Sequence, residues 1–137
     1  VVFLLGLSTG SATGLACSST QSEPFDGFFQ RFSSDRTFAL ERTVLPLQMW
    51  QWEYGVDANG KDDSAPKKSL LARNDYLKWP VLKEHMTQNG LQSKVKSRKK
   101  TATVVEVFKP DTDWLVSWHF RAQSGCWYFW RHEDHSL

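Results

Sequence analysis

Two polar residues on one predicted strand are the leading candidates for ligand chemistry in this 137-residue chain. His119 and Arg121 alternate with apolar residues, so in an extended strand they share one face. An imidazole beside a guanidinium can hold an anionic group of a ligand. The same alternation is also typical of a polar face in contact with solvent, and both interpretations stay open.

The chain contains seven tryptophans, more than one small core can enclose. Tryptophan combines a large apolar surface with an N–H donor, so we expect some of these rings to line a pocket or an interface. A shallow core with several half-exposed rings is the alternative. The predicted ligand-binding residues combine aromatic side chains with the polar pair and are Trp79, Trp118, His119, Arg121, Tyr128 and Trp130.

The other titratable residues fit neither a catalytic nor a metal-binding pattern. His132 and His135 are three residues apart, so in a strand they would face opposite sides, and we predict a frayed polar tail instead of a metal site. Asp35 is predicted to cap a short helix, and Arg42 to pair with it. We therefore expect no catalytic residue and no cofactor. A small-molecule isomerase or a hydrolase-like enzyme is the least favoured class.

Five cations occur in the seven residues from Lys94 to Lys100. A stripe of this kind can meet anionic lipid, an acidic glycan or an acidic protein, as an immunity-type inhibitor would. Lysines that protect an edge strand from aggregation explain it equally well. The net charge of +2 is too small for general nucleic-acid binding, so nucleic acid is not an expected partner. The residues that a regular strand would place on one face are Lys94, Lys96, Arg98 and Lys100.

Residues 1–17 are typical of a truncated secretory signal peptide, with an apolar segment followed by small residues. Cys17 directly follows Ala16, the arrangement at which a bacterial lipoprotein is cleaved and acylated, whereas Gly14 and Ala16 also suit ordinary signal peptidase. We expect either a membrane-anchored lipoprotein with lipid on Cys17 or a free periplasmic protein. Acylation would leave Cys126 as a buried free thiol, so no disulfide is predicted.

Residues 18–137 suit a single domain. Residues 43–54 are predicted to be extended, and residues 55–68 to form a polar hairpin loop. A helix is predicted before them with Ser22 as its N-cap. Its buried face would carry four phenylalanines at helical spacing, namely Phe25, Phe28, Phe29 and Phe32.

The second half of the chain is predicted to be mostly strand. An extended piece from Asp75 leads to a helix after Pro80 that ends at Gly90. Helices first and a strand meander last predict an α+β domain with N-terminal helices packed on one face of a curved antiparallel sheet. The predicted strands are 91–100, 101–109, 114–122 and 126–134.

The pattern Phe25-x2-Phe28-Phe29-x2-Phe32-x2-Asp35 through Leu45-Pro46-Leu47, with Gly125-x-Trp127-Tyr128 near the other end, resembles a family of uncharacterised exported bacterial proteins. Members of that family have a nuclear transport factor 2-like cone, a fold shared with cystatin-like proteins. The resemblance implies a pocket between a concave sheet and helices, and pairing of two copies through the sheet. It implies no activity, because the same cone hosts enzymes, binders and interaction modules. We therefore predict a non-enzymatic envelope protein that binds a small molecule or another envelope protein through an aromatic-lined concave face.

Overall fold

The computed structural model describes residues 17–137, so the predicted signal segment lies outside the described residues except for Cys17. The helices in this part are α1 (Phe25–Ser34), α2 (Arg36–Glu41), α3 (Arg73–Tyr76) and α4 (Leu82–Asn89). The strands are β1 (Thr43–Glu53), β2 (Ala65–Leu71), β3 (Gln92–Arg98), β4 (Ala102–Phe108), β5 (Leu115–Gln123) and β6 (Cys126–Asp134). Within these residues, none of the helices has the length and apolar character needed to cross a membrane.

All six strands form one sheet in the order β2-β1-β6-β5-β4-β3. Neighbouring strands are antiparallel, except that β1 and β6 run parallel. The predicted α+β architecture, with helices on one face of a curved sheet, is confirmed. The predicted meander corresponds to β3 through β6. Strand β1 extends it by pairing with β6.

Helix α1 packs its phenylalanine face on the centre of the sheet, as its spacing predicts. Phe28 and Phe32 are buried, and their ring centroids lie 5.6 Å and 5.3 Å from that of Phe120 on β5. The N-cap of the helix is Pro24, and no side chain caps it, so the prediction that Ser22 does so is wrong. Asp35 caps α2 as predicted, since its carboxylate accepts from the backbone N–H of Phe38 at 3.0 Å.

Two local predictions were wrong, one for a strand and one for a helix. Residues 65–68 belong to β2 and not to a loop, since this polar strand pairs along its whole length with β1. Asp75 lies in the short helix α3, not in an extended piece. Helix α4 does end at Gly90, which adopts a left-handed conformation at φ 64° that glycine reaches without strain.

Residues 17–24, the N-terminal arm, run across the turn between β5 and β6. Cys17 forms a disulfide with Cys126, so the prediction of a free thiol at Cys126 is wrong. The partners are 109 residues apart, a separation at which local sequence carries no sign of contact. Gly125 allows this approach, because a Cβ there would lie 1.7 Å from the carbonyl oxygen of Ser18. A sulfur atom in a disulfide cannot also carry a thioether-linked lipid, so this pairing and acylation of Cys17 exclude each other.

The arm ends at a buried carboxylate. Glu23 has a fully buried side chain and forms an ion pair with Arg42. It also accepts from the backbone N–H of Trp127 at 2.8 Å, while the Trp127 indole donates to the Glu23 carbonyl oxygen at 3.0 Å. The predicted pair of Arg42 with Asp35 is therefore wrong, and the Asp35 carboxylate forms an ion pair with Arg31 at 3.6 Å instead.

Candidate functional site

A cleft lies between the helices and the sheet and holds a cavity of about 190 Å³. We call it the tryptophan cleft. The segment after α3 contributes two of its walls, α4 a third, and the neighbouring strands β5 and β6 the floor. Its lining residues are Trp79, Pro80, His85, Trp118 and His132.

The two indoles are held rigidly from behind. Trp118 is buried and stacks on Phe129, with ring centroids 4.5 Å apart and an interplanar angle of 17°. Trp79 meets Trp118 edge to face at 6.2 Å. The segment that carries Trp79 is fixed by Arg36 of α2, whose guanidinium donates to the carbonyl oxygens of Leu77 at 3.0 Å and Trp79 at 3.1 Å. The walls of the cleft are therefore held in place by contacts within the fold itself.

His132 of β6 forms the polar part of the floor. Its ring lies 5.2 Å from that of Trp79 and 5.5 Å from that of Trp118, both at steep angles. Burial lowers its pKa from the usual 6.5 to about 4, and its Nδ1 has no hydrogen-bond partner among the described residues. The imidazole is therefore neutral at physiological pH. The prediction that this residue belongs to a frayed tail is wrong.

A β-bulge explains why His132 points inward. His119 pairs with Arg131 whereas Phe120 pairs with Phe129, so Trp130 is an extra residue on β6. The insertion shifts the alternation of side chains by one position beyond it. A regular strand pattern read from the sequence alone misses this shift.

His85 of α4 adds a second imidazole. The side-chain amide of Asn89 donates to its Nδ1 at 3.2 Å, because an amide nitrogen has no lone pair to offer. The proton of the neutral ring is thereby assigned to Nε2, which remains a donor. Burial also lowers the pKa of His85, so this ring is biased toward the neutral form. Because His85 lies in a polar stretch, the sequence pattern did not indicate that it lines a cleft.

The cleft widens toward an acidic mouth. The adjoining space of about 430 Å³ shares His85 and His132 with the inner part and is also lined by Trp114. Two carboxylates stand at this mouth, Asp113 and Asp134. The tryptophan cleft is thus apolar and uncharged inside and negatively charged at its opening.

The predicted ligand-binding residues are divided between the two faces of the sheet. Trp79 and Trp118 line the cleft, whereas the strand register and ring contacts place the other four on the outer face. His119 and Trp130 are ring neighbours there at 6.2 Å, and Arg121 lies 5.0 Å from the Trp130 ring. Tyr128 is paired with Arg121 in the register of β5 and β6. His119 and Arg121 therefore share a face as predicted, but that face does not line the cleft.

The predicted basic stripe does not form on one face. A second bulge lies between Val95 and Ser97 of β3 and reverses the alternation of side chains. Lys94 pairs with Glu106 on the outer face, whereas Arg98 reaches Asp26 of α1 on the helix side at 2.8 Å. Lys96 lies at the bulge and Lys100 lies beyond the end of the strand. The cations are therefore dispersed.

Acidification is expected to destabilise the protein through His132. The unfolded chain binds a proton near the usual pKa of 6.5, whereas the folded state resists it down to about 4, so the unfolded state holds the extra proton in this window. The free energy of unfolding has its full value above pH 6.5 and decreases by about 3 kcal/mol as the pH falls toward 4. Urea unfolding between pH 7.5 and 4 measures this decrease.

Two variants test the origin of the pH dependence. His132→Phe should remove most of the slope, because a ring of similar size then carries no proton. His135→Gln is the control, since His135 lies on the outer face 6.0 Å from Trp52, and this variant should keep the slope. An unchanged slope in the Phe variant would show that other groups govern the acid response.

Comparisons with known proteins identify the fold. No family model matches the chain, and no curated protein matches it significantly. A nuclear transport factor 2-like protein from Bacteroides fragilis has a TM-score of 0.59 at 16% identity over 85% of this chain and 48% of its own, so the chain spans about half of that protein. A cystatin-like protein from Bacteroides caccae has a TM-score of 0.54 at 20% identity, covering 82% of this chain and 76% of its own. A protein from Bacteroides uniformis has a TM-score of 0.51 at 20% identity, covering 83% and 78%. The chain therefore has the nuclear transport factor 2-like, cystatin-like cone fold.

Proposed function

We propose that the domain is a binding protein for a small molecule with a flat apolar body, which the tryptophan cleft holds against its two indoles. The observation that carries this proposal is the preformed cavity lined by Trp79, Trp118 and two imidazoles biased toward the neutral state. Ligand sites are typically concave, mostly apolar and supplied with few polar groups that orient the ligand. Nε2–H of His85 is one donor of this kind.

The charge of the mouth restricts the polar end of the ligand. Asp113 and Asp134 would repel an anion and attract a neutral donor or a cation. An anionic group held by His119 and Arg121 is not part of this proposal, because those residues lie on the opposite face of the sheet. The preferred ligand class is therefore a small neutral or amine-bearing aromatic molecule.

Binding without catalysis is the form of this proposal that the cleft favours. A general base works best when its pKa lies near the working pH, and His132 is a much weaker base than that. The carboxylates stand at the mouth, away from the indoles that would hold the body of the ligand. The inner cleft thus offers contact area and one donor, which suit recognition.

We further propose that the protein is exported and free of a lipid anchor at Cys17. The disulfide between Cys17 and Cys126 supports an oxidising compartment, since cytosolic thiols are usually kept reduced. Cleavage by ordinary signal peptidase after Ala16 would leave the Cys17 thiol available for this pairing. The periplasm is the corresponding location in a bacterial envelope.

Replacement of Trp79 by Leu is expected to weaken ligand binding about tenfold, which corresponds to loss of one aromatic contact. Trp130→Leu is the matched control, because it removes an indole from the outer face and should change affinity less than about twofold. A fragment set of neutral, amine-bearing and carboxylate-bearing one- and two-ring aromatics can be screened by heteronuclear NMR, and the best fragment titrated into each variant. Preference for the carboxylates, or equal losses in both variants, would contradict the proposal.

A further inference from the structure

The outer face of the sheet carries a continuous row of alternating cations and indoles. The row crosses four neighbouring strands, β2, β1, β6 and β5, and has no helix over it in the described part of the chain. We call it the cation–aromatic ladder. Its members in order are Lys68, Trp50, Arg131, Trp130 and Arg121.

Each step of the ladder is a close contact between a cation and a ring. Lys68 Nζ lies 4.3 Å from the centroid of Trp50, and the Arg131 guanidinium carbon lies 3.9 Å from the same centroid. Arg131 is also 4.8 Å from the centroid of Trp130, which Arg121 approaches to 5.0 Å. These distances are within the range in which the ring quadrupole attracts a cation.

A buried carboxylate, that of Glu133, contacts residues at the centre of the ladder. Glu133 accepts from the Trp52 indole N–H at 2.7 Å and contacts His119 Nε2 at 2.7 Å. It also lies 3.5 Å from Arg131, whose guanidinium is thus fixed between its two indoles. The central cation is consequently held in one geometry before any partner arrives, which reduces the entropy lost on binding.

The two ends of the ladder carry charge that the described chain does not neutralise. Lys68 and Arg121 are exposed, and neither has an ion-pair partner among residues 17–137. Of the ladder cations, Arg131 is the one with an ion-pair partner within residues 17–137. The ladder therefore presents an excess of positive charge on an aromatic surface.

We propose that the cation–aromatic ladder is a docking surface for a protein segment rich in Asp and Glu. Tryptophan and arginine are enriched in the cores of protein interfaces, and opposite charge selects the partner and speeds its association. This function is separate from ligand binding in the tryptophan cleft, because the two sites lie on opposite faces of the sheet.

Two other occupants fit the surface less well. A second copy packed symmetrically on the same face would bring the uncompensated cations of both copies together, which is unfavourable. A glycan that stacks on aromatic faces would have to displace the cations already lying over Trp50 and Trp130. An acidic protein segment keeps those contacts and adds carboxylates to the outer cations.

Selection from a random library of 12-residue peptides on the immobilised, disulfide-bonded domain tests this inference. We expect the enriched peptides to be rich in Asp and Glu, and the best one, made synthetically, to shift the indole NMR signals of Trp50 and Trp130. The double variant K68E/R121E should weaken that peptide at least 30-fold. Both replaced residues are exposed, so the domain should keep its fold, which its thermal unfolding checks.

The matched control is K83E/K109E, which reverses the same number of charges away from the ladder and should change affinity less than threefold. Enrichment of peptides without acidic residues, or an equal loss in both double variants, would overturn the proposal. So would tighter binding of a sulfated oligosaccharide than of the best peptide at the ladder. Self-association through this face, detected by sedimentation and abolished by K68E/R121E, would assign the surface to a second copy instead.

Discussion

Replacement of both cysteines by serine is expected to lower the free energy of unfolding by about 4 kcal/mol. The disulfide closes a loop over a sequence separation of 109 residues, and a cross-link of this length removes much of the conformational entropy of the unfolded chain. The arm that it fixes also contributes contacts, since Ser18 pairs with Gln21 directly over Gly125. Urea unfolding of the oxidised protein and of C17S/C126S measures the difference through the midpoints.

Addition of a reductant provides the control for this experiment. It should shift the midpoint of the natural sequence to that of the double variant and leave the variant itself unchanged. Intact mass under non-reducing conditions decides the state of Cys17 independently. Two titratable thiols, or a lipid mass on Cys17, would show that the disulfide is not the state of the natural protein.

Substitution of Arg42 by Met is expected to lower the free energy of unfolding by about 3–5 kcal/mol. The change leaves the Glu23 carboxylate, whose side chain is fully buried, without its counter-ion. Arg42 also donates to the Trp127 carbonyl oxygen at 3.2 Å and lies 4.8 Å from the Phe38 ring, so its loss loosens three elements at once. Chemical unfolding at pH 7 gives the value.

The companion variant Glu23→Gln separates charge from packing. Glutamine can still accept from the Trp127 N–H, and the remaining Arg42 is partly exposed to water, so we expect a smaller loss of about 1–2 kcal/mol. The double variant should lose less free energy of unfolding than the sum of the two single losses. Each single variant leaves one buried polar group without its partner, whereas the double variant removes both. A loss below 1 kcal/mol in Arg42→Met would mean that water reaches the carboxylate.

The fold was predictable from the sequence where periodicity decides the structure. The phenylalanines of α1 and the alternation in β5 depend on local spacing, and the structure confirms both. The polar strand β2 was not predictable, since it exists only because β1 pairs with it. The parallel pairing of β1 with β6 likewise depends on the whole topology and on no local signal.

The candidate site was predictable only in part. Trp79 and Trp118 were identified because tryptophan is large and amphipathic, but their separation from His119 and Arg121 depends on which face each strand presents. Single-residue bulges in β3 and β6 change that face, and they leave no clear mark in composition. For that reason the prediction of a basic stripe was wrong, and the place of His132 in the cleft was not predicted.

The central position of β6 has a consequence for synthesis of the protein. The ribosome delivers α1, α2 and the β1–β2 hairpin first. However, α1 packs on β5 and β6, and β1 pairs with β6, so both depend on residues 115 to 134. Until those residues emerge, the phenylalanine face of α1 has no native partner and must remain exposed or be shielded by a chaperone. The N-terminal helices of the domain therefore lack their native core until β5 and β6 have been synthesised.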